Sequence, residues 1–242
     1  MHTFFWTCSF VILNVFVFCV DIEQLMASMS LEEKVGQMIQ VDIGAMLNDT
    51  DKSKIDFEKV RYWIENFKIG SILNSPFSGK EIVNGVSGYT AREWRDILFQ
   101  IQTIASQTNS KIPIIYGIDS IHGASYVLNA TLFPQQIGLA ATFNTSFAEV
   151  SGRITSKDTR AAGISWIFSP VLGIALQPLW ARFWETFGEC PYLASKMGAS
   201  LITGLQSLSG DSSIPRQVCV NHFIHKFVTE SNISSKFRLQ HA

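Results

Sequence analysis

The chain has 242 residues, 47% of them hydrophobic and 16% charged, with 19 Lys and Arg against 20 Asp and Glu. That much apolar surface offsets the entropy of ordering the chain and excludes global disorder. A net charge of −1 offers nucleic acid no electrostatic attraction, so no nucleic-acid partner is expected.

Residues 3–20 run almost without a polar side chain as far as Asp21. At the extreme N-terminus such a run predicts a secretory signal peptide over residues 1–20, although its first residues offer His2 and neither Lys nor Arg. Secretion or lysosomal delivery follows. No other stretch approaches the length of a membrane span, so no membrane contact is expected once the signal is removed. Ser30-Leu-Glu-Glu33 is a capping box, and the helix it opens carries Val35, Met38 and Ile39 at helical spacing. Residues 39–43 read as a first short strand, and Tyr62, Trp63, Ile64 and Phe67 as a helix. Residues 70–74 form a short apolar strand that stops before Pro76. Across 91–107, Trp94, Leu98, Ile101 and Ile104 make one helical stripe. Residues 112–118 and 164–171 read as buried strands, 192–205 as a helix rich in small residues, and 217–221 as a last strand.

Of the four cysteines, Cys8 and Cys19 fall in the signal. Cys190 and Cys219 remain, too few for a disulfide scaffold and without the spacing of a zinc site. They are expected to be buried free thiols, with a single bridge as the other option. Sequons at Asn48, Asn129, Asn144 and Asn232 are candidate glycosylation sites, coherent with a secretory route.

Strands alternating with helices imply a parallel sheet with right-handed crossovers. Short apolar strands without alternation imply burial on both faces. Two architectures fit: a (β/α) barrel and a doubly wound sheet. The second loses its main support because no glycine-rich phosphate loop follows any strand. In a barrel the strand C-termini open on one face, which carries the site. Asp119 and His122 follow one strand, Arg182 lies beyond another, and His222 ends a third.

Three blocks carry a resemblance. Tyr116-Gly-Ile-Asp119-Ser-Ile-His122-Gly123 with Thr131-Leu-Phe-Pro134-Gln-Gln-Ile-Gly-Leu-Ala-Ala-Thr142 is the first. Phe168-Ser-Pro170-Val with Gln177-Pro-Leu-Trp180-Ala-Arg182-Phe-Trp-Glu185-Thr-Phe-Gly188-Glu189 is the second, and Val218-Cys-Val-Asn221-His222-Phe223 the third. In order and spacing they resemble the N-terminal domain of glycoside hydrolase family 3, most like its secreted or lysosomal β-glucosidase branch. The resemblance implies a (β/α)8 TIM-type barrel, here incomplete with about five or six strands. It divides the chain into a signal (1–20), a partial barrel domain (21–227) and a divergent polar tail (228–242).

By the same resemblance the activity is that of a retaining, exo-acting β-glucosidase, with a β-linked glucoside or oligosaccharide as partner and neither metal nor organic cofactor. Asp119 matches a carboxylate that accepts hydrogen bonds from sugar hydroxyls. Arg182 matches an arginine whose donor fork meets the same sugar, and His222 matches a further hydroxyl ligand. Asn221 stands where the family has Lys, which removes a charge and shortens the reach. A retaining hydrolase needs a nucleophile and a general acid/base about 5 Å apart. The family's nucleophile lies in a Ser-Asp-Trp-like motif after the Lys-His-Phe strand. This sequence contains none, so no catalytic residue is assigned, and the chain reads as truncated before the nucleophile and inactive alone. The alternative is a non-catalytic carbohydrate-binding remnant or a truncated isoform.

Each residue also has a plainer reading. Asp119 serves as a turn residue or helix cap, Arg182 as a structural ion-pair partner, and His122 as a loop-bracing residue under the site. Glu185 and Glu189 read better as acidic residues at the start of the next helix than as a catalytic pair. Trp180 and Trp184 are as readily core residues as sugar platforms.

Overall fold

The structure, a computed structural model, describes residues 21–77, 82–83, 85–207 and the backbone of 218–219. Asp21 caps α1 (Ile22–Ser28), its carboxylate accepting from the backbone N–H groups of Glu23 and Gln24. Ser30 and Glu33 form the reciprocal capping box of α2 (Leu31–Gln37). Strand β1 (Gln40–Asp42) follows, then α3 (Phe57–Phe67), β2 (Ser71–Leu73) and α4 (Ala91–Ser106). A second capping box, Thr90 with Glu93, starts α4. The backbone and hydroxyl hydrogen bonds of Thr90 hold the Glu93 carboxyl below the usual carboxylate range. Strand β3 (Ile115–Ile118), α5 (Gln136–Ala140), α6 (Thr145–Ala161), β4 (Trp166–Ile167), α7 (Pro191–Gln206) and β5 (Val218–Cys219) complete the described elements.

All five strands are parallel, in the spatial order β1-β2-β3-β4-β5. This order decides between the two architectures. A doubly wound sheet reverses its strand order at a switch point; here each strand adds beside the last, the progression of a (β/α) barrel. A closed barrel has eight strands, so the described sheet is an open arc.

The register corrects the expectation of burial on both faces. Val41, Ile72 and Tyr116 stand in one row. Ile72, Tyr116 and Ile118 join Val60, Ile64, Trp94, Leu98 and Ile101 of α3 and α4 in one core, with Val41 packed at its edge. The other face carries Gln40 and Ile115, both exposed, with Ser71 and Leu73 half-buried. The helix side of the arc is dry and much of its concave side is not.

Edge-to-face rings run through the first core from Phe77 to Tyr89, Trp94 and Tyr116. The Tyr116 hydroxyl donates to the Asn74 carbonyl at 2.7 Å, and the Tyr89 hydroxyl donates to the Ser53 carbonyl. Burial, helped by the Asp51 and Glu93 carboxylates, pushes the Tyr89 phenol up to about 12. Burial also carries Tyr116 well above its ordinary value.

The second core joins Leu139 of α5, Ala148 of α6, Ile167 of β4, Phe187, and Ala194, Met197, Leu201 and Leu205 of α7. Three helices lie outside the sequence-based expectation: α1, α5 and α6. Helix α6 buries Ala148, Ser151, Gly152, Thr155, Ser156 and Thr159, a face too small and polar to read as an apolar stripe. Helix α2 lies where it is expected, but Val35 and Met38 are 51% and 86% exposed. Its buried residue is Gly36, where a Cβ would lie 2.4 Å from the Phe67 carbonyl oxygen. Cys190 is an exposed free thiol, against the expectation of a buried one.

Candidate functional site

The C-terminal ends of β3 and β4 open on a cleft of about 560 Å³ lined by Asp119, His122, Tyr126, Trp166, Phe168, Arg182 and Glu185, with Gln40 and Leu73 from the concave side of the sheet. Its size falls in the range of small-molecule sites.

Asp119 follows Ile118, the last residue of β3, and is half-buried between fully buried Ile118 and Ser120. The Ile118 carbonyl accepts from the N–H groups of both Ser120 and Phe168, which ties the start of the Asp119 loop to β4. His122 braces the loop beyond. Its Nδ1 donates to the Phe133 carbonyl at 3.0 Å, since a carbonyl can only accept, while the Phe133 N–H donates back to the His122 carbonyl at 2.7 Å. Gly123 makes this lacing feasible. Its φ is +110°, and a Cβ there would lie 2.3 Å from the Thr131 carbonyl oxygen.

Arg182 enters on a single tight turn, Phe183–Glu185. Its Nε donates to Glu185 Oε2 at 2.5 Å. Glu185 therefore serves as the arginine's partner, which corrects the expectation of a helix-start residue. Helix α7 begins instead with Cys190 as N-cap and Pro191 in its first turn, with no side-chain cap. Glu189 is exposed.

The aromatic wall is not among the residues predicted from sequence. Trp166 and Phe168 meet edge to face at 4.8 Å, beside Gly117 of β3. A Cβ at Gly117 would fall 2.3 Å from Phe168 Cζ and 3.0 Å from Trp166 Cε3, so the rings occupy space that only glycine leaves open. The legible signal is the alternation Trp166-Ile167-Phe168, with Ile167 fully buried, since residues two apart share a face of a strand. Tyr126 joins the wall, and its carbonyl accepts from Trp94 Nε1 at 2.8 Å. Neither Trp180 nor Trp184 lines the cleft; Trp180 packs near Gly173, and Trp184 is exposed.

Strand β5 pairs with β4 through Trp166–Val218 and Ile167–Cys219. Asn221 and His222 come two and three residues after its end in sequence and lie outside the described residues, as does Asn232. Of the other sequons, Asn129 is exposed with φ +66°. Asn144 is exposed and caps α6, and Asn48 is half-buried with its side-chain oxygen accepting from Thr50 and Asp51. Among the described residues no three His, Cys, Asp or Glu side chains gather closely enough to hold a metal ion, and no helix is long and apolar enough to cross a membrane.

A model of the glycosyl hydrolase family 3 N terminal domain matches residues 30–234. A lysosomal beta glucosidase of Dictyostelium discoideum is 47% identical over 203 residues, covering 82% of this chain and 24% of that protein. A periplasmic beta-glucosidase of Salmonella typhimurium is 26% identical, covering 84% of this chain and 23% of that protein. Among solved structures, the exo-1,3/1,4-beta-glucanase of a Pseudoalteromonas species superposes with a TM-score of 0.66 at 30% identity, over 82% of this chain and 30% of that one. The chain thus spans about a quarter of the length of the curated relatives it matches.

Proposed function

The chain belongs to the glycosyl hydrolase family 3 N-terminal domain family, and from that premise we propose that it is the sugar-gripping part of a retaining, exo-acting β-glucosidase-type glycoside hydrolase. The observation that carries the reading is the meeting of Asp119 and Arg182 on one cleft. A carboxylate accepts two charge-assisted hydrogen bonds from neighbouring hydroxyls, and a guanidinium returns donors to the sugar oxygens in a fixed plane. The Trp166–Phe168 wall supplies an apolar surface for a pyranose ring. His222 and Asn221 are proposed as further hydroxyl ligands from the segment after β5.

Bond cleavage needs two carboxyl groups about 5 Å apart flanking the glycosidic bond. Glu185 is bonded to Arg182, and no residue of this chain is assigned as nucleophile or general acid/base. The reading therefore gives these residues recognition of a terminal β-D-glucosyl group. An extracytoplasmic setting fits the apolar run at residues 3–20 and the lysosomal and periplasmic relatives. Asn129 and Asn144 are then the exposed candidates for glycosylation among the described residues.

Titration calorimetry with glucose tests the proposal. Asp119→Ala and Arg182→Ala are each expected to weaken binding at least about tenfold, the loss of a hydrogen bond to a charged group. Hydrolysis of an aryl β-glucoside by the chain alone is expected to be negligible. Affinity unchanged from the unsubstituted chain in both alanine variants would remove the reading. Turnover that vanishes in Asp119→Ala would instead assign bond cleavage to this chain.

A further inference from the structure

Arg182 can grip a sugar only from one orientation, and the following inference rests on that functional reading. We infer that Glu185 is a positioning residue, which accepts the Nε–H of Arg182 and so aims the rest of the guanidinium at the ligand. The pair is built into one turn. The Glu185 N–H donates to the Arg182 carbonyl at 3.1 Å, while the Arg182 side chain returns to Glu185 Oε2. The same two residues are thus linked through both backbone and side chain.

The turn itself cannot drift. Thr186, the next residue, is fully buried. Its hydroxyl donates to the Phe183 carbonyl at 2.8 Å and accepts from the Gly188 N–H at 3.1 Å. Phe187 is sealed in the second core. Glu185 therefore presents its carboxylate from a fixed base.

A guanidinium has five N–H donors in one plane. Glu185 takes the single Nε–H, and no described protein group accepts from the Nη atoms. With one edge held, the plane of the group is set, and the Nη donors remain for a ligand. Both side chains line the cleft, at 34% and 19% exposure for Arg182 and Glu185. In a partly buried ion pair the cost of desolvating two charges offsets much of their attraction, so the service of this one is orientation. An arginine that must order its long side chain on binding loses affinity; one already held by a carboxylate does not.

The test uses the full chain with glucose as probe, in Glu185→Ala, Glu185→Gln, Arg182→Ala and the double variant Arg182→Ala/Glu185→Ala. Glu185→Ala is expected to weaken binding about tenfold with an almost unchanged melting temperature. Glu185→Gln keeps an oxygen that accepts the Nε–H, and its affinity is expected to stay within about threefold. The double variant should bind no worse than Arg182→Ala, because Glu185 acts only through Arg182. The Arg182 Nε–H resonance should be protected in the unsubstituted chain and in Glu185→Gln, and lost in Glu185→Ala. If the unsubstituted chain binds no glucose, the sugar reading falls and the role falls with it. If it binds and Glu185→Ala binds equally well, only the role is overturned. Equal loss in Glu185→Gln and Glu185→Ala would also overturn orientation through this hydrogen bond.

Discussion

Around β1–β3 the core is filled by large side chains: Ile72, Trp94, Ile101, Tyr116 and Ile118 are all but sealed from solvent. Where α6 crosses α7 the contact is made by small ones. A Cβ at Gly152 would lie 2.4 Å from the Leu201 carbonyl oxygen, and one at Gly204 only 2.1 Å from that of Glu149. One region is held by apolar volume. The other is held by close approach of two backbones, which glycine alone permits and in which few large groups take part. The first should be sensitive to deletion and the second to addition.

Trp94→Ala probes the first region most severely. It removes a ring in edge-to-face contact with both Tyr89 and Tyr116 and a hydrogen bond to the Tyr126 carbonyl. A loss of about 3–5 kcal/mol is expected, or a fall of about 10 °C in melting temperature for a chain of this size. A thermal melt followed by circular dichroism measures it, and an unshifted melt would contradict the volume account. Gly204→Val probes the second region. Its new atoms meet backbone, which has no rotamer to yield, and a loss of about 2–3 kcal/mol is expected. Ala199→Val, on the exposed side of the same helix, should stay within about 0.5 kcal/mol. Equal losses at the two sites would mean that the crossing is not close.

The smallest effect concerns pH and sharpens the picture of the first region. Folded Tyr89 keeps its proton up to about 12, whereas the unfolded chain releases it near the ordinary value of about 10. The folded state binds more protons between those values, so stability falls as pH rises from about 10 through about 12. Denaturant titrations across that window should show a shallower fall in Tyr89→Phe, with the remainder owed in part to Tyr116. An identical slope in that variant would exclude Tyr89 as a contributor.

The same contrast governs how much can be read in advance. The α4 stripe is legible because Trp94, Leu98, Ile101 and Ile104 recur at helical spacing, and all four are buried. The Ser30 and Thr90 ends are open to the same kind of reading, since a capping box is local chemistry. Helix α6 escapes it because Ser151, Gly152, Thr155 and Ser156 resemble a polar surface until a second backbone lies against them. Strand lengths are overestimated from sequence: residues 164–171 contribute only Trp166–Ile167 to the sheet. Asp119 and Arg182 stand out through the motifs around them, and they do share a cleft. The role of Glu185 is misjudged from sequence, because an acidic residue shortly before a helix reads as part of its start, and only the folded turn shows the carboxylate meeting the arginine.

By itself the amino-acid sequence determined the alternation of strands and helices, the Ser30 capping box, and the family to which the three motif blocks belong. These are properties of short segments, set by spacing, capping chemistry and local side-chain type. Only the tertiary structure decided that the concave side of the sheet is left partly exposed, that Trp166 and Phe168 wall the cleft over Gly117, and that Glu185 turns toward Arg182. Each of those depends on which distant backbone approaches which, a distance that no local pattern carries.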